Sequence, residues 1–385
     1  MDAKAVNAFM TLIRSAICDS AITDAQKASY AAALPNMAAM AKHHDIIHLL
    51  ASALTKNGIC SDGIIDANKA VFTAVYRSRQ MSYALTQMCG ALEKAQIPFV
   101  PLKGSVLRDY YPEPWMRTSC DIDVLVRKQD LERAVAYLVD NLGYRYEHTF
   151  THDVSMFTKA GVHVELHYNL MEDEPIKSSR AVLDHAWNHA KKRNGYDFWY
   201  ELSDEVFYFY HIAHMAKHFE DGGCGIRPFI DLSILNHKID FDAKKRRELL
   251  EMGELATFAD SAFLLSEIWF NGAEHNDVTY NMEQFILQGG VYGTIENHIA
   301  VQQQKQGGKF KYAISKIWLP YDTIKFYYPA LGKHKIFTPL MQFKRWCRLI
   351  FGGHLKRSAR ELNYNSQLSK EKIDQTNNLL KSIGL

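Results

Sequence analysis
The chain has 385 residues, 47% apolar and 23% charged, a soluble-type composition with material for about two or three domains. No stretch approaches the ~18 uncharged apolar residues of a membrane span, and the N-terminal MDAKAVNAFM lacks the basic start and continuous apolar core of a signal peptide, so a cytoplasmic protein is expected. The net charge of +2 conceals an asymmetry: Lys305 to Arg360 carries 13 Lys/Arg against the single acid Asp322, which makes that segment +12 and the remainder −10. A basic block on an acidic body points to a polyanion or an anionic surface as partner.

Residues 1–95 read as helical. Apolar residues recur at helical spacing through Val6, Phe9, Met10 and Ile13, and again through Ile46, Ile47, Leu49, Leu50 and Leu54. Asn57-Gly58 and Asp62-Gly63 mark a break, and a long helix is expected from Ile65 to Ala95. His44 and His48 lie at i, i+4, but no third ligand is in register, which favours packing or capping over metal binding. The texture changes at Ile97. IPFVPL reads as a strand, Gly104 to Tyr111 as a short helix ended by Pro112, and Asp121 to Val126 as a half-buried strand. A helix over Lys128 to Asn141 stops before Gly143. Strands are expected at Tyr144 to Glu147, Val154 to Thr158 and Val162 to Tyr168, giving β-α-β-α-β-β-β. After about residue 178 the chain reads as helical, with helices over Asp204 to Glu220, Arg227 to Lys238, Asp242 to Gly253 and Glu254 to Phe270. Lys305 to Phe351 reads as irregular, punctuated by Pro320, Pro329 and Pro339. The last 30 residues read as helical with a frayed end. The six cysteines (Cys18, Cys60, Cys89, Cys120, Cys224 and Cys347) form no CxxC and read as reduced thiols, mostly buried.

Three features of the α/β stretch carry chemistry. Lys103-Gly104-Ser105 sits between a strand and a helix, where a glycine lets backbone approach a phosphate and a helix N-terminus favours an anion. Asp121 and Asp123 project to one face of a strand, and two adjacent carboxylates repel unless a cation lies between them. Glu165 shares a strand face with His163 and His167. Each is a weak signal alone. Together they are the minimum equipment for two-metal nucleotidyl transfer.

LKGSVLRDYYPEPWMRTSCDIDVLV, followed by VELHYNL, resembles the polymerase-beta-like nucleotidyltransferase superfamily. More narrowly it looks like a bacterial uncharacterised nucleotidyltransferase family, through Leu102-Lys103-Gly104, Tyr111-Pro112, Arg117 and Asp121-Ile122-Asp123. The stretch His211, His214, His218, then GIRPFIDLSIL, is similar to that family's later motif, so the resemblance spans about residues 40–270. It implies an α/β (α+β) nucleotidyltransferase core with a mixed sheet, flanked by N- and C-terminal helical domains. The divisions expected are 1–95, 96–175, 176–300 and a basic aromatic arm with a final helix over 301–385. It also implies that Asp121, Asp123 and Glu165 hold two Mg²⁺ or Mn²⁺ ions and carry catalysis, and that Lys103, Gly104, Ser105 and Arg117 bind the NTP. His167, His214, His218, Arg227 and Asp231 are cleft or acceptor candidates. Arg227 and Asp231, at i, i+4, suit an ion pair, and the helical histidines suit either a cleft wall or an internal brace. The acceptor (RNA, small molecule or protein) stays open. The alternative is a non-catalytic nucleotide- or membrane-binding module that kept the fold.

Lys305 to Arg360 also holds eleven Phe, Tyr or Trp. That mixture suits single-stranded nucleic acid or an anionic membrane surface, the latter giving a peripheral membrane location. It equally suits an arm that packs its aromatics on the body. FKRWCRLIFGGHLKR, Phe343 to Arg357, reads as amphipathic.

Overall fold
The computed structural model describes residues 3–18, 20–61, 63–171, 176–351 and 355–385. Asp62 of the expected break and 352–354 of the amphipathic stretch lie outside the described residues.

Four helices come first: α1 (Ala3–Cys18), α2 (Asp24–His43), α3 (Ile47–Lys56) and α4 (Ala67–Lys94). Thr23 and Gln26 close a capping box on α2, and Asp66 accepts from the Lys69 N–H at the start of α4. Phe9, Leu12 and Ile13 of α1 and Leu50 and Leu54 of α3 are fully buried, as their spacing requires. β1 (Phe99–Pro101), the one-turn α5 (Gly104–Leu107), β2 (Asp121–Val126), α6 (Leu131–Leu142), β3 (Arg145–Thr149), β4 (Asp153–Phe157) and β5 (His163–His167) follow in the expected order. Gly143 ends α6 in the left-handed conformation at φ 66°.

The strands form one mixed sheet ordered β1-β2-β5-β4-β3. The β2–β5 pair is parallel and the others are antiparallel. Alternation then sorts side chains between two faces. Ile122, Val124, Val126, Val164, Leu166 and Met156 pack with Met88 and Leu92 of α4 and Ala134 and Leu138 of α6. The opposite face of β2 and β5 presents Asp121, Asp123, His163, Glu165 and His167, with Asp123 beside Glu165 and Asp121 beside His163. Ser155 of β4 lies opposite Glu165 on that same face.

Beyond the sheet, α7 (Arg180–Leu183) leads into a hairpin of β6 (Ala190–Lys192) and β7 (Tyr200–Leu202), which the helical reading after residue 178 did not anticipate. Three-residue strands carry too little periodicity to read. Trp199 pairs with Phe99 and carries the sheet edge past β1. α8 (Asp204–Glu220), α9 (Arg227–Lys238), α10 (Ala243–Met252), α11 (Ala256–Asn271), α12 (Asp277–Gln288) and α13 (Ile295–Gln306) complete the body. Phe209, Phe219, Phe229 and Phe258 meet α1 and α3 in a second apolar core, which also takes Val100, Leu102 and Leu125 from the sheet's other face.

The basic segment is helical rather than irregular: α14 (Lys309–Ile317), α15 (Tyr321–Tyr327) and α16 (Thr338–Phe351). Its prolines punctuate these helices. Pro320 caps α15, and Pro339 lies in the first turn of α16, where its missing N–H has no intrahelical partner to lose. α17 (Leu355–Gln367) and α18 (Lys370–Ser382) follow. The final helix does not end in a frayed turn, because Leu379, Leu380 and Ile383 are buried in the main core. Cysteines differ from expectation too. All six are free, but Cys18, Cys60 and Cys120 are exposed, and Cys89 and Cys224 are the buried ones. Among the described residues no helix is long and apolar enough to cross a membrane.

His44 and His48 are both buried and are not in either group of side chains that could hold a metal. His48 Nε2 donates to the Met116 carbonyl at 3.0 Å, which ties α3 to the loop before β2. Burial lowers the pKa of each to about 4. An unfolded histidine titrates near 6.5, so between pH 6.5 and 4 the unfolded chain binds protons that the folded chain does not. Stability therefore falls as pH drops through that window. A loss of up to about 2 kcal/mol per histidine is expected between pH 7 and 5. Urea midpoints at the two pH values check it, and His48→Gln is expected to remove roughly half of the loss.

Candidate active site
The polar face of β2 and β5 opens into a cleft of about 600 Å³. α5, α8, α9 and the loop at Tyr292 line it as well. Asp121, His163 and Glu165 form one group whose ligand atoms lie within 4.8 Å of one another; Asp123, Glu165 and His167 form a second. Glu165 belongs to both.

Asp123 is the buried centre, 2% exposed. Its Oδ1 accepts from Lys103 Nζ at 3.1 Å and is 2.8 Å from His167 Nε2. Burial pushes its carboxyl up, but Lys103 and His167 outweigh that and hold it well below the usual range. The same contacts act in reverse on the partners. Burial opposes the His167 charge, yet hydrogen bonds to Asp123 and Glu165 raise its pKa to about 9. Lys103 is likewise held charged against burial by Asp123. Asp121 makes no ion pair among the described residues, and Lys103 acts on it only through space. Burial, then the Asp123 charge, push it above the ordinary carboxylate range.

Lys103 reaches Asp123 from a strained backbone, φ 43° and ψ −122°, a conformation glycine favours. The sharp turn it makes between β1 and α5 is braced by Arg108, which donates to the Gly104 carbonyl at 2.8 Å and to Ser119 Oγ at 3.1 Å. Gly104 has a packing reason as well. A Cβ there would meet Ser119 Cβ at 3.1 Å and Oγ at 3.2 Å. Ser105 Oγ is buried with no hydrogen-bond partner among the described residues, and unlike Lys103, Gly104 and Arg117 it does not line the cleft.

Arg117 and Asp231 meet across the fold, 114 positions apart. Arg117 Nε lies 2.7 and 3.0 Å from the two Asp231 oxygens, Nη1 donates to the Thr118 carbonyl, and Tyr111 donates to Asp231 Oδ1 at 2.7 Å. The i, i+4 pairing of Arg227 with Asp231 does not form. Asp231 is fully buried against Arg117, while Arg227 bonds Asp45 at 2.9 Å. A buried carboxylate is better served by a guanidinium and a phenol together than by one i, i+4 neighbour.

The helical histidines divide. His211 Nε2 bonds the Pro228 carbonyl at 2.9 Å and ties α8 to α9. His214 and His218, edge to face at 4.5 Å, line the cleft, and burial, then Lys103, keep His214 well below its ordinary pKa. Tyr210 and Lys217 also line the cleft and were not anticipated. Their signal was present: residues 210, 214, 217 and 218 fall on one helical face. His163, placed on the right face by alternation, joins the first carboxylate group, and Ser155 Oγ lies 2.8 Å from its Nε2.

The sequence profile of the uncharacterised nucleotidyltransferase family matches residues 32–271, more than half of the chain. The chain belongs to that family. The match takes in the sheet, the cleft carboxylates and α8 to α11, and it ends before α12. Membership supports nucleotidyl transfer as the general class of activity. Searches of curated proteins and of solved structures found no match.

Asp231→Ala would leave Arg117 as an uncompensated buried charge. A loss of about 3–5 kcal/mol is expected in chemical denaturation. Replacing both partners with apolar residues, Arg117→Met with Asp231→Leu, is expected to recover most of it.

Proposed function
We propose that the protein transfers a nucleoside monophosphate from an NTP to an acceptor hydroxyl, releasing pyrophosphate, with two divalent ions held by Asp121, Asp123 and Glu165. The observation that carries this reading is the pair of ligand groups sharing Glu165 in a cleft large enough for a nucleotide. The donor set fits hard cations. Three carboxylates converge, and Asp121 lacks the cationic compensation that Asp123 has. His163 adds a nitrogen donor to the group of Asp121 and Glu165, which Mn²⁺ tolerates better than Mg²⁺, while His167, charged as long as it bonds Asp123, would have to give up its proton to serve the second group. Held by Asp121, Asp123 and Glu165, divalent ions would supply Lewis-acid charge compensation for the transferring phosphate and the attacking oxygen.

The chain's own groups do the rest. The acceptor oxygen bonds to the α-phosphorus as the bridging bond to the β-phosphate breaks. The hydroxyl proton passes to Glu165, and pyrophosphate leaves. Gly104 lines the cleft where backbone can approach the phosphates, and Lys103 supplies cationic compensation at their edge. Arg117, anchored by Asp231 and with Nη1 beside Gly104, adds to it on the same side. His214, His218 and Arg227 face the acceptor side of the cleft. The acceptor, whether RNA, a small molecule or a protein, is not encoded by these residues.

Label transfer from each α-³²P NTP into the RNA, protein and small-molecule fractions of a cell extract tests the reading. Mn²⁺ or Mg²⁺ is supplied, and γ-labelled NTP is the control. α-Label is expected in one fraction, with none from γ-label and a fall of at least about 100-fold in Asp121→Asn/Asp123→Asn. Transfer of γ-label, or transfer undiminished in the double variant, would refute it. In parallel, Mn²⁺ binding followed by electron paramagnetic resonance is expected to weaken at least about tenfold in the same variant. Mn²⁺ binding and nucleotide binding without any transfer would favour the non-catalytic module.

A further inference from the structure
α14 and α16 are amphipathic helices whose apolar faces point away from the protein. In α16, Thr338 and Gln342 are buried, and the Gln342 amide donates to the Leu319 carbonyl. Arg345 donates to the carbonyls of Lys316 and Ile317, and the Trp346 indole donates to Ile317. These polar contacts fix α16 against the end of α14. The opposite face carries Leu340, Phe343, Ile350 and Phe351, from 55% to 86% exposed. In α14, Tyr312 is buried and bonds Glu361, while Phe310, Ile314 and Ile317 lie exposed at i, i+4, i+7. Ile336 and Phe337, just before α16, are exposed as well. A soluble helix normally turns its apolar stripe inward. Two adjacent helices doing the reverse form an apolar surface of a kind that marks a binding site.

The charge around this surface selects the occupant. Lys311, Lys333, Lys335, Lys344 and Arg348 are exposed beside the apolar residues, within a segment whose one acid is Asp322. A second copy docking through the same face would set cation against cation. Single-stranded nucleic acid would find the cations, but its bases stack on π-faces. Here five exposed apolar residues are aliphatic and offer a base no π-face: Ile314, Ile317, Ile336, Leu340 and Ile350. Of the aromatics, Tyr312 is buried and Trp346 is turned onto the Ile317 carbonyl, while Phe310, Trp318, Tyr327, Phe337, Phe343 and Phe351 are exposed beside the aliphatic residues. Aliphatic and aromatic side chains flanked by lysine and arginine match the boundary of an anionic bilayer, where apolar groups enter the acyl region and cations meet the headgroups.

We propose that α14 to α16 form a docking surface for an anionic phospholipid membrane, seating the protein at the bilayer without crossing it. The proposal is independent of the transfer chemistry, since the surface lies outside residues 32–271 and shares no residue with the cleft.

Vesicle flotation of the full chain tests it, using phosphatidylcholine alone and phosphatidylcholine mixed with phosphatidylglycerol at about 0.1 M salt. Co-flotation is expected with the anionic vesicles and not with the neutral ones. Phe310→Ser/Phe343→Ser and Lys344→Glu/Arg348→Glu are each expected to lower partitioning at least about tenfold, with thermal melts unchanged because the replaced side chains are exposed. Failure to float with anionic vesicles overturns the proposal, as does equal flotation on neutral vesicles or undiminished binding by both variants. Retention of single-stranded RNA without vesicle affinity assigns the surface to nucleic acid instead. A concentration-dependent dimer lost in the phenylalanine variant, without vesicle affinity, assigns it to a second copy.

Discussion
The structure turns on one constraint, the register of the parallel pair β2–β5. Asp123 lies beside Glu165 and Asp121 beside His163 because these two strands run the same way and in this alignment. A slip of one residue would send every carboxylate into the apolar layer beneath α4 and α6. The apolar residues enforce the register from the other side. Ile122, Val124, Val164 and Leu166 are fully buried there, and none can exchange places with its acidic neighbour without burying an unpaired charge. The hydrophobic core thus aims the polar cluster, and the cluster in turn forbids alternative alignments of the core.

Concentrating acid at one place has to be offset. Asp123 is held ionised by Lys103 and His167, and the strained turn at Lys103 is part of that arrangement, since it brings the amine back over β2. Asp121, buried beside Asp123 and with no ion pair among the described residues, carries the residual cost as a raised pKa. The site is therefore compensated on one side and under-compensated on the other, an asymmetry that a bound cation would relieve. The Arg117–Asp231–Tyr111 cluster does a different job. It locks the loop before β2 to α9, so the helical body and the sheet present their cleft-lining side chains from a shared frame.

Local pattern made the sheet and the acids legible. Alternation located β2 and β5, and the i, i+2 rule put Asp121 with Asp123 and Glu165 with both histidines. The structure added which cations answer which carboxylates, because those contacts are long-range. Arg117 finds Asp231 across 114 positions, and an i, i+4 rule naturally offers the neighbour Arg227 instead. The β6–β7 hairpin escaped for the opposite reason, being too short to show a period. Gly104 was read as an approach for phosphate. Its crowding against Ser119 gives a packing requirement that no single-sequence pattern contains.

The arm shows how composition can identify a segment while concealing its geometry. Its charge and aromatics were evident, and its prolines suggested irregular chain, yet those prolines sit at helix starts. Once the helices exist, the sidedness of α14 and α16 becomes the decisive fact. Buried glutamine, buried threonine and carbonyl-capping arginine on the inner face leave isoleucine, leucine and phenylalanine facing out. Water gives no reason for that arrangement, because the same sequence rolled about its axis would bury the apolar stripe. The inner polar contacts prevent the roll. An apolar face held outward by specific hydrogen bonds, beside cations and with almost no acid, implies a surface outside the protein that the arm is shaped to meet.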